Sequence, residues 1–168
     1  MARTIYGAEL YKSPTNPVNY EADGLGTNSA VYTTGDPVTI TTGLLVVAGT
    51  TDAVVGINAK TATMTASNQT VAKVYPRYIP MDQDYIFLMG TNADLTATTS
   101  VGVYYKLTTA TTATVQVDVT SGAQTTSNRV VVCVAVDPLK EGGTGAGSGL
   151  RQGLFKFVKV LEDIKSDN

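Results

Sequence analysis

The sequence predicts an all-β protein, a small antiparallel β-barrel or sandwich with an extended N-terminal arm and a C-terminal segment after a glycine-rich linker. Three observations support this prediction. Short apolar runs bounded by Gly, Asp and Thr recur along the middle of the chain. β-Branched Val and Thr are abundant, with Thr at about one residue in six, and both suit a pleated surface better than a helix. No convincing helical pattern separates the runs, which argues against βαβ units.

By composition, the 168-residue chain divides into four stretches. Residues 1–30 are polar and aromatic with poor periodicity, and we expect an arm that packs on its own barrel or on a neighbour. Residues 31–140 carry the β signal and are expected to form the barrel domain. Residues 141–149 are mostly Gly, with small or polar residues between, as in a flexible linker. Residues 150–168 are expected to pack an apolar segment on the barrel or on a neighbouring subunit.

Eight strand-like runs are expected in order along the barrel domain. They lie at residues 37–41, 44–47, 53–57, 71–79, 85–89, 101–107, 113–119 and 129–136. A turn at Thr42 and Gly43 separates the first two runs. The run 85–89 is expected to be fully buried, and the run 129–136, the most apolar, is expected to be central. The threonine-rich stretches 61–70 and 91–100 are expected to be connections.

Alternation is cleanest in the run 113–119. Val115, Val117 and Val119 are predicted to share one face, with Thr114, Gln116 and Asp118 on the other.

The segment after the linker leaves two structures open. Its residue types over 154–161 favour a strand, which is our prediction. Leu154, Phe157, Leu161 and Ile164 also fall near helical spacing.

Charge and hydropathy exclude several kinds of partner. The net charge is −2 and charged residues make up 15% of the chain, against about 25% in a typical protein. No block of like charges appears, so no nucleic-acid partner is expected. No apolar run approaches the ~20 residues of a membrane helix, so no membrane partner is expected. The N-terminus lacks the apolar core of a signal peptide, so we expect synthesis in the cytoplasm.

The chain offers little catalytic chemistry. It has no His, which removes the commonest general base and transition-metal ligand and excludes zinc sites of Cys and His. Cys133 lies in an apolar run and is expected to be a core residue rather than a reactive thiolate. Asp82 and Asp84 would share one face of a strand, as in a calcium or glycosidase site, but a polar turn before Tyr85 is favoured. We therefore expect no enzyme, no catalytic or metal-binding residue, no cofactor and no small-molecule substrate.

Three further patterns are interpreted as incidental. Gly143, Gly145, Gly147 and Gly149 recur at every second position, which fits a linker and neither a phosphate loop nor a dinucleotide fingerprint. The glycosylation triplet that begins at Asn68 arises readily by chance in a threonine-rich chain. No site is assigned to the scattered arginines Arg3, Arg77, Arg129 and Arg151.

Several segments carry a resemblance to a known family. Residues 32–38 contain a Gly-Asp-x-Val entry into the barrel, and residues 53–57 supply the short strand that follows it. Residues 80–89 form a strand pattern ahead of the Val-Gly-x-Tyr-Tyr-x-Leu segment 101–107, and residues 129–137 are similar to a closing valine-rich strand. Together these segments resemble the small β-barrel decoration, or capsid cement, proteins of tailed-phage heads.

The resemblance implies a bacteriophage virion structural protein without an active site. Such a protein would act as a homotrimer and bind the major capsid protein on the outer capsid surface, at hexamer centres or at local two- and three-fold positions. It would be made in the host cytoplasm.

Two other function classes stay open. One is a carbohydrate-binding or adhesive β module of a fibre or surface-layer protein. Such modules stack sugars on exposed aromatic rings, and one of the adjacent Tyr104 and Tyr105 must face away from the core of a regular strand. The other is a lyase or glycosidase that uses the carboxylates of Asp82 and Asp84.

Overall fold

A computed structural model describes residues 8–12, 22–23, 26, 30–64, 77–80, 85–95, 97–109, 115–136 and 152–160. Over these residues the molecule is all-β, as the sequence predicts. The strands are β1 (Ala8–Lys12), β2 (Ala22–Asp23), β3 (Val31–Tyr32), β4 (Pro37–Thr41), β5 (Leu44–Val47), β6 (Gly56–Asn58), β7 (Ala62–Thr63), β8 (Arg77–Pro80), β9 (Ile86–Gly90), β10 (Tyr104–Thr109), β11 (Val115–Asp118), β12 (Val131–Val136) and β13 (Gln152–Phe157). The helical segments are short: α1 (Ala97–Ser100) and a 3-10 turn (Thr126–Asn128).

The larger sheet has six antiparallel strands in the order β1-β9-β13-β12-β10-β11. Thr91, just after β9, forms a parallel bridge with Val117 of β11. The far edge of the sheet therefore curls back towards β9 and gives the sheet the form of a half-barrel.

The second sheet has five antiparallel strands in the order β2-β8-β6-β4-β5, and β3 pairs with β7 as a separate ribbon. The hairpin β4–β5 turns through two residues, Thr42 and Gly43, with φ angles of 50° and 80°. Positive φ at both positions is the pattern of a type I′ turn, whose twist matches that of the flanking strands. The predicted turn at this place is confirmed.

Inward-facing side chains of the six-stranded sheet build most of the main core, and Ile57 of β6 joins it from the second sheet. Phe155 and Phe157 of β13 are fully buried, and Phe87 meets Phe157 edge-to-face with ring centroids 5.6 Å apart. A smaller core lies in the second sheet, among Tyr32, Val38, Leu45, Val55 and Met64. The Tyr32 hydroxyl donates a hydrogen bond to the Leu45 carbonyl, which satisfies the buried polar group.

Hydrogen bonds from backbone groups and from the Lys159 side chain join the two sheets. Val54 N–H donates to the Lys159 carbonyl at 2.9 Å, and Leu107 N–H donates to the Thr50 carbonyl at 2.9 Å. The Lys159 ammonium donates to the carbonyls of Thr51 and Ser127 at 2.5 and 3.1 Å. These bonds connect the loop before β6 with strand β10 and the chain after β13.

Residues 152–157, after the glycine-rich linker, form a strand, so the strand predicted at 154–161 is confirmed as far as Phe157 and the helical alternative is wrong there. Leu161 and Ile164 lie outside the described residues. β13 lies between β9 and β12, and its Phe155 and Phe157 enter the core of its own chain. The run 129–136 corresponds to β12, which is an interior strand as predicted.

Five predictions about individual segments need correction. The strand predicted at 53–57 is shifted, because β6 begins only at Gly56. The stretch 61–70, predicted to be a connection, contains strand β7. The run 101–107 begins late: α1 and a turn at Gly102, with φ of 81°, come first, so β10 starts at Tyr104. α1 also lies inside the stretch 91–100, which the sequence predicts to be a plain connection. The run 85–89 is a strand but is not fully buried, because burial alternates along it and Ile86 and Leu88 are only half-buried.

The four-part division of the chain stays a prediction. Within residues 1–30, the structure shows β1 paired with β9 and β2 paired with β8, so these parts of the arm extend the sheets. The run 71–79 is described only from Arg77, where β8 begins. No helix among the described residues has the length and apolar character needed to cross a membrane.

Candidate functional site

A polar cluster lies where the six-stranded sheet curls back on itself. Asp118, at the end of β11, accepts hydrogen bonds at Oδ1 from Asn92 Nδ2 at 2.7 Å and from Thr120 Oγ1 at 2.8 Å. Its Oδ2 accepts from Ser121 Oγ at 2.5 Å and lies 3.6 Å from Lys106 Nζ. Asn92 follows β9, so the cluster joins the chain after β9 to the turn after β11.

These hydrogen bonds decide the charge of Asp118. Burial acts to raise the pKa of this carboxyl, but the bonds from Ser121, Asn92 and Thr120 outweigh burial and hold the pKa well below its usual range. A carboxylate that stays ionised at neutral pH and is saturated with donors is poorly matched to proton transfer. Asn92 Oδ1 also accepts from Val119 N–H at 2.7 Å, so the cluster fixes the closing turn of the sheet.

A second buried carboxylate lies in the Gly-Asp-x-Val segment. Asp36 is 1% exposed, and its Oδ2 accepts from Thr33 N–H at 3.0 Å while its Oδ1 accepts from Val115 N–H at 3.4 Å. Burial raises the pKa of Asp36, and these hydrogen bonds offset the increase only in part. Val115 belongs to β11, so Asp36 connects the start of the second sheet to the edge of the first.

Cys133 is a core residue, as the sequence predicts. It is 1% exposed and lies in the main core. Burial raises the pKa of its thiol to about 11. The thiolate, which is the nucleophile, is therefore scarce at neutral pH.

The adjacent tyrosines of β10 face opposite sides of the sheet. Tyr105 is buried and meets Phe155 edge-to-face at 6.4 Å. Tyr104 lies on the outer side, and the guanidinium carbon of Arg129 sits 4.3 Å from its ring centroid. The expectation that one tyrosine faces away from the core is confirmed, and the sequence assigned no role to the arginine that covers it.

The outer face of the six-stranded sheet is unusually apolar. We use the name outer face for the side chains of β9, β13, β12 and β10 that point away from the main core, together with Arg129. In a sheet with one solvated face, outward positions usually carry polar residues. Here the apolar outward residues are Ile86, Leu88, Val132, Val134 and Leu154. Val134 is 40% exposed at a β-bulge, Ile86, Leu88 and Val132 are half-buried, and Leu154 is buried at 6% exposure.

Several sequence candidates fall outside the described residues. These are Asp82 and Asp84, the triplet at Asn68, the linker glycines Gly143, Gly145, Gly147 and Gly149, and the arginines Arg3 and Arg151. Arg77 begins β8. Among the residues that the structure does describe, no group of three or more Cys, Asp or Glu side chains could hold a metal ion.

The cluster at Asp118 carried a partial sequence signal. Asp-x-Thr-Ser-Gly is a typical turn sequence in which Asp bonds to nearby backbone groups. The partner Asn92 is 26 residues away and carried no signal. Comparison of the chain with protein-family models, with curated proteins and with solved structures gave no match.

Proposed function

We propose that this chain is a bacteriophage virion structural protein, a decoration protein that binds and stabilises the outer surface of a tailed-phage capsid. The observation that carries the proposal is the apolar outer face. Half-buried Ile86, Leu88 and Val132 at outward positions suit contact with another protein better than contact with water. A cement protein makes such contacts in many copies on a symmetric lattice.

The scaffold suits a mechanical role. Strand β13 is paired on both sides, and the two sheets are tied by hydrogen bonds of Val54, Leu107 and Lys159. Three reactive side chains among the described residues serve the structure. Asp36 and Asp118 accept hydrogen bonds from backbone and side-chain donors, and Cys133 is buried. We propose that the chain has no catalytic step.

The proposed partners are the major capsid protein and further copies of this chain in a homotrimer. On a closed lattice each weak contact is repeated by symmetry, so avidity replaces the strength of any single interface. The proposed location is the outside of the virion, after synthesis in the host cytoplasm.

Cosedimentation tests the proposal. Purified protein should pellet with expanded heads of the phage that encodes it, and much less with immature heads. Light scattering of the protein alone should give the mass of a trimer. Protein that stays in the supernatant with expanded heads of its own phage would contradict the proposal.

The carbohydrate-binding alternative makes a different prediction. A sugar would stack on the outward, half-buried ring of Tyr104, but Arg129 covers one side of that ring at 4.3 Å. A glycan array should therefore give no binding, and a specific hit that is lost in Tyr104→Ala would favour the alternative.

A further inference from the structure

The first and the last strand of the described chain flank the same strand of the six-stranded sheet. β1, the edge strand, pairs antiparallel with β9, and β13 pairs antiparallel with the other side of β9. β1 and β13 therefore run in the same direction. Ala8, at the start of β1, lies opposite Met89, whereas Lys156, near the end of β13, lies opposite Ile86. A force that separates the two ends of the chain thus pulls β1 and β13 in opposite directions along β9.

The register gives the direction of this force relative to the strands. From Ala8 to Phe157 the positions advance about four residues along β9, or about 14 Å, and cross two strand spacings, or about 10 Å. The larger component therefore acts along the strands. Hydrogen bonds between antiparallel strands lie perpendicular to the strands, so a force along the strands loads all bonds of a ladder together. A force across one end of a ladder instead opens the bonds one after another.

The second sheet is loaded in the same way. Ala8 N–H donates to the Gly35 carbonyl at 2.6 Å, shortly before β4, and Val54 N–H, shortly before β6, donates to the Lys159 carbonyl at 2.9 Å. β4 and β6 pair antiparallel, so their first residues lie at opposite ends of the shared ladder. A force that enters this sheet at Gly35 and at Val54 therefore also acts along its strands.

Further bonds hold the chain just after β13. Val160 forms a parallel bridge with Val54. The Lys159 ammonium donates to the carbonyls of Thr51, in the loop before β6, and of Ser127, in the 3-10 turn before β12. The chain after β13 is thus bonded to parts of both sheets at the point where tension from the C-terminal side arrives.

We propose that this fold carries tension between the chain before β1 and the chain after Val160, and that both sheets share the load along their strands. The observation that carries the inference is that each point of entry, Ala8 on one side and Lys159 on the other, is bonded to the second sheet as well as belonging to the path through the first. The inference goes beyond the proposed function and does not rest on it, because it concerns the direction in which the chain resists force and not what the chain binds.

Single-molecule force spectroscopy of the full chain tests the direction of this resistance. One variant, Asp94→Cys, is pulled in two arrangements, so that any effect of the substitution on stability is common to both. In the first arrangement the handles are attached to the two ends of the chain. In the second, one handle is at the N-terminus and the other is on the new thiol, which replaces an exposed side chain after β9. Cys133 is buried and its thiol pKa is raised to about 11, so it stays unlabelled at neutral pH.

We expect the first rupture in the end-to-end arrangement to need at least about twice the force of the second arrangement at the same loading rate, because forced unfolding follows the unfolding rate along the pulled direction. In the second arrangement the force acts at one end of the β1–β9 ladder, where Ala8 lies opposite Met89, and peels β1 away bond by bond. Equal forces, or a lower force end to end, would overturn the inference. Neither result depends on binding to heads, so the proposed function stands or falls separately.

Lys159→Met, made in the Asp94→Cys background, tests the path through the second sheet. It removes the two ammonium hydrogen bonds after β13, and Lys60→Met, at an exposed residue after β6, is the matched control. Lys159→Met should lower the end-to-end rupture force and leave the force of the second arrangement unchanged, while Lys60→Met should change neither. An unchanged end-to-end force, or an equal drop in both arrangements, would overturn the shared load.

Discussion

Asp118 and Asp36 are both buried aspartates, but their surroundings shift the carboxyl pKa in opposite directions. Asp118 has side-chain donors from Asn92, Thr120 and Ser121, so its ionised form is favoured in the folded state. Asp36 is deeper and receives two backbone N–H groups, so desolvation is only partly offset. The two residues should therefore give stability opposite dependences on pH.

Asp118→Asn should lower the free energy of unfolding at pH 7 by about 1–3 kcal/mol, because it weakens a buried hydrogen-bonded network. The folded-state pKa of Asp118 is lowered, so its contribution is present above the unfolded-state pKa of about 4 and is lost as pH falls further. Urea unfolding of both proteins at pH 7 and pH 3 should show the difference shrinking at the lower pH.

Asp52→Asn is the matched control for this measurement. Asp52 is exposed and accepts one hydrogen bond from Gly49 N–H at 2.8 Å, which an Asn side chain can also accept. Its effect should stay within about 0.5 kcal/mol. An equal loss in both variants, or a loss in Asp118→Asn that does not change with pH, would contradict the role assigned to the cluster.

Asp36→Asn should show the opposite trend. The folded-state pKa of Asp36 is raised, so ionisation penalises the folded state as pH rises from about 4 through that pKa. The wild type should thus lose stability relative to Asp36→Asn over this rise, because the amide does not titrate. Urea unfolding at intervals between pH 4 and 7 measures the trend. A difference that stays constant over this range would show that folding does not shift the pKa of Asp36.

At the scale of the element, the turn of the β4–β5 hairpin does not have the most stable sequence for its backbone conformation. Thr42 is a β-branched residue at a φ of 50°, a conformation that Asn tolerates better. Asn-Gly is the preferred pair for a two-residue type I′ turn. Thr42→Asn should therefore raise the free energy of unfolding by about 0.5–1 kcal/mol. Thr41→Asn, at an exposed strand position beside it, should give no increase, and a similar gain there would refute the argument from the turn.

Gly153 lies in strand β13 at a position where a larger side chain would collide with its neighbours. A Cβ at Gly153 would lie 2.5 Å from Leu95 Cδ1 and 3.1 Å from Phe155 Cε2. Leu95 and Phe155 are both buried, so the clash cannot be relieved into solvent. Gly153→Ala should cost about 1–3 kcal/mol, as is typical of overpacking.

A double-mutant cycle with Leu95→Ala isolates this contact. Leu95→Ala alone should cost about 2–5 kcal/mol by leaving a cavity, and the double variant should lose at least about 0.5 kcal/mol less than the sum. Urea unfolding of the four proteins gives the coupling. Additive losses would show that Leu95 does not limit the space at Gly153.

Local pattern explains which elements could be predicted. Three features could be predicted because each depends on residues close in sequence. They are the turn at Thr42 and Gly43, the alternation around Val117 and the strand conformation of β13. Strand pairing could not be predicted in this way. β13 inserts between β9 and β12, and no short stretch of sequence specifies that order. The half-exposed side of β9 was mistaken for core for the same reason, since Ile86 and Leu88 have core residue types.

The candidate surface was hidden from the sequence by separation along the chain. Tyr104, Val132, Lys156 and Ile86 become neighbours only through three strand pairings. Arg129 carried no assignment because its stacking on Tyr104 joins residues 25 apart. Composition predicts only the general character of the surface, because charged residues make up 15% of the chain.

At the scale of the molecule, the described residues form two cores, and the contacts between these cores decide whether the protein unfolds as one unit. Val54 belongs to the main core and Val55 to the smaller one, so neighbouring residues point into different cores. Val47 packs against both cores, and Asp36 reaches across to Val115. Contacts of this kind make the stability of each sheet depend on the other, which favours a single transition.

Val54→Ala and Val55→Ala form a matched pair that tests this coupling. Each deletes the same buried groups and should cost about 2 kcal/mol, lowering Tm by about 4–8 °C for a chain of this size. If the cores are coupled, both variants show one transition, with far-UV and near-UV circular dichroism coincident and similarly shifted. If the cores are independent, two transitions appear and each variant moves only one of them. The second result would mean that hydrogen bonds such as Val54 N–H to the Lys159 carbonyl do not transmit stability between the sheets.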